Sequence, residues 1–339
     1  MVNYNGKRFL KECFDSLMRQ TFTDFEIVFV DNNSDDGSVE YLKRNYNSDK
    51  IKIFVSGLNL GFAGGNNFGY KQCKGEYVVL LNNDTVADRD WLKDLIACIA
   101  SDENIGMAQS LVLTDGIPRK YYEQNGTVNL LGHNIMEVFE IDDKGFGEIF
   151  LASGCSLIIR KSLAGKLNGL FLDEYFAYSE DTFLCFKVKF RGLKIVHTSR
   201  SIINHRGSGT SENRKASFLY FYQERNRLLN FLLFFSNGFV IKYIPYMIFN
   251  FFMKLTASVL SPKYSASQLV RAYWWLLMNV NWIREQRVQL NKIKIENDNY
   301  VLGYLSGRIF NGDNIFERIV NSISIFYCRL TDIKIMENK

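Results

Sequence analysis

The chain has 339 residues, 47% hydrophobic and 15% aromatic with only 3 prolines, which excludes a disordered or Pro-rich linker protein and makes two structural units the reasonable expectation. Its net charge of +5 is uneven: residues 216–339 carry 15 Lys and Arg against 8 Asp and Glu, residues 1–215 carry 26 against 28. A near-neutral first part is followed by a basic, aromatic tail, which points to an anionic membrane surface or to nucleic acid.

In chain order, the opening Met1-Val2-Asn3-Tyr4-Asn5-Gly6 shows no secretory signal and passes straight to turn residues, as if the chain began inside or after its first strand. Lys7–Gln20 has helical spacing of Phe9, Leu10, Cys13, Phe14 and Leu17. Glu26–Val30 reads as a strand, Ser38–Tyr46 as a helix and Ile51–Val55 as a strand. A Gly-rich turn leads into a helix over Gly61–Cys73; Tyr77–Leu81 has the apolar run of a buried parallel strand, and Trp91–Ala100 is an amphipathic helix. Repeated βα units with short connections predict a mostly parallel sheet flanked by helices.

Beyond residue 105 the pattern loosens. Ile105–Leu113 and Ile149–Arg160 read as strands, 114–148 as loop or hairpin, Ser179–Arg191 as a helix and Lys194–Asn204 as extended. The expected units are a catalytic domain over 1–215 and a helical, basic and aromatic region over 216–339. Within the tail, Phe218–Phe235 and Phe239–Leu260 are apolar, the second broken by Lys242, Pro245 and Lys254, so helices lying in a membrane interface fit better than a spanning helix. The basic residues are separated by aliphatic blocks, which argues against nucleic acid. Six scattered cysteines, with no CxxC pair or metal-ligand spacing, read as buried reduced thiols of a cytosolic protein.

Four polar clusters follow strands or open helices: Asn3-Tyr4-Asn5-Gly6, Asp31-Asn32-Asn33-Ser34, Asn59 to Asn67 with its glycines, and Asn82-Asn83-Asp84. If the strands are parallel and adjacent, all four line one sheet edge, where open α/β sheets bind ligands. There Asp31 can accept hydrogen bonds from a base or ribose, and the oxygens of Asn82, Asn83 and Asp84 suit a hard divalent cation that grips a diphosphate. Each also has a plain structural reading as a turn. Further on, Glu180 and Asp181 open a helix with Ser179 as a candidate cap, and His205 sits in polar, Gly-rich surroundings as a candidate metal ligand.

The stretches NYNGKRFLKECFDSL, FEIVFVDNNSDDGSVEYL, NLGFAGGNNFGY, GEYVVLLNNDT, ASGCSLIIR, FLDEYFAYSEDTFLCFK and INHRGSGTS, in this order over residues 1–210, closely resemble the family 2 glycosyltransferases of GT-A fold, in particular the bacterial rhamnosyltransferase-like members that build surface polysaccharide. The resemblance implies that Asn3, Tyr4, Asn5, Asp31 and Asn33 hold the nucleotide, and that Gly64, Asn66, Asn82, Asn83 and Gly154 lie along the nucleotide-sugar pocket. It implies Asp84 and His205 as ligands to Mg2+ or Mn2+, and Asp181, with Glu180 beside it, as catalytic base. The implied reaction is inverting transfer of a sugar, first of all rhamnose from dTDP-rhamnose and otherwise a UDP-activated hexose. The acceptor is a saccharide or lipid-linked saccharide at the cytoplasmic face of the cell membrane.

Three departures from the family pattern stand out. Asn82 replaces the first acid of the metal motif, Phe183 stands where an acid is common, and the apolar residues expected before the NYN turn are lacking, so most of the first central strand is missing. Two other readings stay open, a sugar nucleotidyltransferase and a catalytically inactive scaffold.

Overall fold

A computed structural model describes residues 1–114, 123–138, 145–206, 216–261 and 264–338. The first half runs β1 (Val2–Asn3), α1 (Lys7–Met18), β2 (Ile27–Asp31), α2 (Ser38–Asn45), β3 (Ile51–Val55), α3 (Gly61–Gln72), β4 (Tyr77–Leu81), β5 (Thr85–Ala87) and α4 (Trp91–Ala100). It continues through β6 (Ile105–Thr114), β7 (Glu123–Val128), β8 (Asn134–Val138), β9 (Phe146–Ile149), β10 (Ser156–Arg160), α5 (Lys161–Lys166), α6 (Glu180–Phe190) and β11 (Lys194–His205). Helices α7 (Ala216–Phe234), α8 (Asn237–Leu260), α9 (Ala266–Met278), α10 (Val280–Asn291), α11 (Asp298–Leu302) and α12 (Ile315–Leu330) complete the described chain.

The sheet corrects the expectation of mostly parallel strands. Parallel pairing holds for β1-β2-β3 and for β6 with β11, but β10 is antiparallel to both β4 and β6, and β5 and β9 are antiparallel to β11. Ile149–Arg160, read as one strand, is broken at Phe150–Cys155, and its second half runs back between β4 and β6. A doubly buried strand is apolar throughout whichever way its neighbours run, so the direction was not legible from the apolar run of β4. The hairpin β7–β8 lies inside the segment read as loop or hairpin.

β1 is present as two residues, with Val2 opposite Val30 and Asn3 opposite Asp31, and the Met1 ammonium donates to Val28 O at 3.0 Å. β4 hydrogen-bonds β10 and no other named strand, so the ladder runs in two pieces, β1-β2-β3 and β4-β10-β6-β11-β5. A cavity of about 570 Å³ lies between β2 and β4, lined by apolar groups of Met1, Val28, Val79 and Trp91 among others.

Side-chain alternation in the strands divides the core. On one face Leu10, Cys13, Phe14 and Leu17 of α1 and Trp91, Leu95 and Ile99 of α4, each set at helical spacing, bury against Ile158 and Ala108. The other face, with Leu157 and Ile159, receives α6, and α7 packs on α6 through rings: Phe234 lies 5.2 Å from Phe186 and 5.7 Å from Phe190, centroid to centroid. The tail helices therefore share one continuous core with the sheet. The six cysteines are free, and all but Cys73 are buried.

Candidate functional site

The short β1 ends in a side chain that joins three strands. Asn3 is fully buried; its Nδ2 donates to Asp31 Oδ1 at 2.9 Å and Ser34 Oγ at 3.1 Å, while its Oδ1 accepts from Asn83 Nδ2 at 2.6 Å. Asp31 Oδ2 accepts from Ser34 N at 2.8 Å. A buried carboxylate needs such partners, and here they fix the ends of β1, β2 and β4 in one corner. Above that corner lies a cavity of about 350 Å³ whose lining includes Tyr4, Asn82, Asn83, Asp84, Gly154, Glu180, Asp181 and His205.

The structure thus gathers eight of the residues singled out from sequence and leaves six outside the lining. Asn3 and Asp31 sit beneath it as the framework just described. Asn5 (φ 51°) and Asn33 (φ 63°) occupy left-handed turn positions; the Asn5 amide donates to Ser34 Oγ, and Asn33 is exposed. Gly64 and Asn66 lie within α3 outside the lining: a Cβ on Gly64 would lie 2.9 Å from Leu60 Cβ, and Asn66 Nδ2 bonds Phe62 O. Phe183, which stands where the family commonly has an acid, is core, with Tyr175 and Phe234 rings 5.2 and 5.1 Å away. Residues 207–211 of the INHRGSGTS stretch lie outside the described residues.

Asp84 and His205 come together because β5 pairs β11 with Thr85 opposite His205. His205 Nε2 is 3.1 Å from Asp84 Oδ1 and 3.5 Å from Asn82 Nδ2. Adjacent ligands of an octahedral ion bound at about 2.1 Å are about 3 Å apart, so the pair already has the spacing of two neighbouring donors. One oxygen and one imidazole nitrogen suit Mn2+ well and Mg2+ through the carboxylate. Among the described residues no third His, Cys, Asp or Glu joins them, so the remaining positions would fall to ligand oxygens and water. Cys155 also lines the cavity, but burial pushes its thiol pKa up and keeps it neutral.

Glu180 and Asp181 open α6 without the serine cap expected from sequence. Ser179 is left-handed (φ 63°) and its side chain caps nothing; its carbonyl accepts from Phe183 N and Asn230 Nδ2. Phe176 (φ 58°) and Tyr178 (φ 73°) are left-handed too, so three non-glycine residues in strained conformations precede the carboxyl pair. Helix α7 holds this turn. Arg225 donates to Glu174 O, Asn226 Nδ2 reaches the carbonyls of Tyr175, Ala177 and Tyr178 at 2.9, 3.0 and 2.8 Å, and Asn230 Oδ1 accepts the Tyr175 hydroxyl. Opposite, Gly61 (φ 71°) gives the Phe176 carbonyl room, since a Cβ there would come within 2.3 Å of it.

Burial lifts the Asp181 carboxyl above its ordinary pKa, opposed by the N–H groups of Thr182 and Gly154. Glu180 is raised well above its own, by burial and then by the neighbouring Asp181 charge, and its Oε2 finds no hydrogen-bond partner. Both environments disfavour the charged form, that of Glu180 more strongly than that of Asp181, which accepts the two N–H groups. A raised folded-state pKa gives stability that is complete below the unfolded value and is lost as pH rises towards the folded one. Glu180→Gln is therefore expected to remove a stability decline that sets in as pH rises above the ordinary carboxylate range. Urea midpoints of the two proteins against pH check it, and parallel curves would refute it.

A second cavity, about 880 Å³, shares Tyr178, Glu180 and Asp181 with the first. Its other walls come from the β7–β8 turn (His133), α7 (Tyr220, Glu224, Arg227), α8 (Lys254) and α12 (Phe316). Glu224 accepts from Arg227 at 2.5 Å, and Arg227 also donates to His133 Nε2 at 2.8 Å. An arginine only donates, so His133 is the Nδ1–H tautomer; burial, then the Arg227 charge, hold its pKa well below the usual value. This cavity was not found from sequence. Its one signal was the polar set Glu224, Arg225, Asn226, Arg227 and Asn230 within an otherwise aromatic helix.

The family model for glycosyl transferase family 2 matches residues 1–167. Among curated relatives, glycosyltransferase GlyA of Streptococcus pneumoniae is 25% identical over 211 residues, 60% of this chain and 29% of that protein. The poly(ribitol-phosphate) beta-N-acetylglucosaminyltransferase TarS of Staphylococcus aureus is 28% identical over 139 residues, 39% of this chain and 24% of that one. The chain thus spans well under half the length of either. A S. aureus TarS structure solved with UDP superposes with a TM-score of 0.55 at 18% identity, covering 98% of this chain and 88% of that one. GalNAc-T7, solved with UDP, GalNAc and Mn2+, gives 0.59 at 16% identity over 80% and 52%. These likenesses show the GT-A-like fold, a central sheet with flanking helices. The part that matches the family 2 glycosyltransferase model, residues 1–167, holds Asp84 and the whole polar corner.

Proposed function

We propose that the chain transfers a sugar from a nucleoside diphosphate to a hydroxyl of a saccharide or lipid-linked saccharide, inverting the anomeric carbon. One observation carries the reading: Asp181 lines two cavities at once, one beside the Asp84–His205 pair and one without it. A donor in the first and an acceptor hydroxyl in the second would meet at a carboxylate able to take the proton. Direct displacement inverts the anomeric carbon and needs no protein nucleophile, in keeping with a neutral Cys155 thiol.

Metal dependence follows from charge. Among the described residues the first cavity is lined by Asp84, Glu180 and Asp181 but by no Lys or Arg, so a diphosphate would enter with a cation or meet repulsion. Asp84 and His205 would hold Mg2+ or Mn2+, which supplies charge neutralisation for the departing diphosphate. The lack of Lys and Arg in this lining, among the described residues, also weighs against a nucleotidyltransferase, whose triphosphate demands more positive charge. The inactive-scaffold reading is not favoured either, since the donor-side groups and the carboxyl pair share one cavity.

dTDP-rhamnose is the first donor to test. UDP-sugars are the second, supported by the UDP bound to S. aureus TarS. The proposed location is peripheral, on the cytoplasmic face of the cell membrane, supported by the basic balance of residues 216–339 and by exposed apolar side chains on the tail helices. Calorimetric titration with dTDP and UDP, with and without Mn2+, tests the donor side, and the anomeric configuration of the product tests inversion. Asp84→Ala is expected to weaken Mn2+-dependent nucleotide binding about 10–100-fold, at least the cost of disturbing a ligand's support. Unchanged Mn2+-dependent binding would remove Asp84 from the metal site.

A further inference from the structure

One wall of the second cavity is a polar face of a single helix. Tyr220, Gln223, Glu224 and Arg227 of α7 follow one another at helical spacing, and all four line it. In the middle of this wall the groups satisfy one another. Buried Glu224 accepts from Arg227 Nη2 at 2.5 Å, and Arg227 Nε donates to Gln223 O at 3.2 Å. Arg227 Nη1 donates to Leu131 O at 2.5 Å and to His133 Nε2 at 2.8 Å. The β7–β8 turn comes this close because Gly132 (φ 71°) has no side chain; a Cβ there would lie 2.9 Å from Arg227 Cβ. Asn129 fixes His133 in the turn, taking its backbone N–H on Oδ1 at 3.0 Å and giving its own N–H to His133 O at 2.9 Å.

The two ends of the wall stay open. Tyr220 is 6% exposed, and its hydroxyl, though close enough to feel the Glu224 charge, has no hydrogen-bond partner among the described residues. At the other end Arg227 occupies His133 Nε2, which leaves the Nδ1–H as the ring's one group for a ligand in the cavity that it lines. Polar groups left unpaired at a buried wall cost free energy that a ligand recovers. The ends are also far apart. Tyr220 and Arg227 are separated by seven residues, two turns or about 10.5 Å along α7. Asp181 lies at the Arg227 end, since Asn226 and Asn230 bind the carbonyls of Tyr178 and Ser179 just ahead of it. Tyr220 leans the other way, towards the start of α7, where the Tyr264 ring stands 6.1 Å from its own, centroid to centroid. One pyranose ring with a hydroxyl at Asp181 does not reach that far.

Resting on the transferase reading above, we propose that the acceptor is at least a disaccharide, read at two positions along α7. Its reacting sugar lies between Asp181 and the His133 Nδ1–H. The next sugar gives an oxygen to the Tyr220 hydroxyl and packs on the Tyr264 ring. A monosaccharide fills the first position and leaves Tyr220 unpaired. The volumes agree: the second cavity holds about 880 Å³ and the first about 350 Å³.

The test uses the full chain and pairs of sugars that share a non-reducing unit: glucose with cellobiose, galactose with lactose, N-acetylglucosamine with chitobiose. In at least one pair the disaccharide is expected to bind about tenfold tighter than the monosaccharide, a factor that one further hydrogen bond and the buried ring face supply. Tyr220→Phe removes one hydroxyl and keeps the ring. It is expected to weaken that disaccharide about threefold to tenfold and to leave the monosaccharide within about twofold. In nitrogen NMR of the wild type, the His133 Nδ1 signal is expected to shift with both members of the pair. Equal affinity within every pair, no binding in any, an equal loss for both sugars in Tyr220→Phe, or a His133 signal indifferent to bound sugar would overturn the proposal. Mn2+-dependent nucleotide binding, followed on the same samples, reads the donor site separately. Its loss in every sample would strike the transferase reading, while its persistence without disaccharide preference would strike only this one.

Discussion

Asp181→Asn is expected to lower the turnover number for sugar transfer by about 10²–10⁴-fold while leaving Mn2+-dependent nucleotide affinity within a few-fold of wild type. The substitution keeps shape and the oxygen that accepts Thr182 N–H at 2.7 Å, so the helix start survives. It removes the shared carboxyl that is supported by N–H groups; of the other groups common to both cavities, Tyr178 is a phenol and Glu180 is pushed further towards its protonated form by burial. Because burial raises the Asp181 pKa, the acid limb of the wild-type pH–rate profile should fall above the ordinary carboxylate range. Activity should be lost as pH drops through that raised value. A variant turning over at close to the wild-type rate would show that the base lies elsewhere, and an acid limb in the ordinary range would show that Asp181 titrates like a surface carboxylate.

Much of the donor side was legible because it is local. A strand ending in Asn82-Asn83-Asp84 forces those groups to the sheet edge, and the elements Ile51–Val55, Tyr77–Leu81 and Trp91–Ala100 coincide with those observed. Direction was not legible, since β10 returns antiparallel beside β4 without changing the apolar pattern of either. Asn66 and Gly64 lie within α3, outside the lining of the first cavity. Their residue types suit a ligand, but the turn of α3 points them at Phe62 O and Leu60. The second cavity was invisible because its walls come from segments far apart in sequence, the β7–β8 turn, α7, α8 and α12, brought together by ring packing that no single window displays.

Asn226 tests whether that packing reaches the chemistry. Three left-handed residues in the 176–179 turn, each costing of order 1–3 kcal/mol, would relax if nothing held them. The Asn226 amide has two hydrogens and shares them among three carbonyls, so replacing it with alanine removes the donor that ties Tyr175, Ala177 and Tyr178 to α7. Asn226→Ala is therefore expected to cost about 2–4 kcal/mol of stability, read from urea midpoints. It should also lower the turnover number of the folded fraction by up to about 10²-fold, because a shift near 1 Å at the carboxyl pair misplaces the base. Nucleotide affinity should hold, since Asp84 and His205 are fixed by the β5–β11 ladder and not by this turn. The acid limb should move down towards the ordinary carboxylate range as the loosened turn lets water reach Asp181. A residue that only stabilised the fold would lower the urea midpoint and leave both the turnover of folded enzyme and the acid limb unchanged; that result would confine α7 to scaffolding. The expected shift of both would mean that the tail sets the geometry of the base through three carbonyl groups.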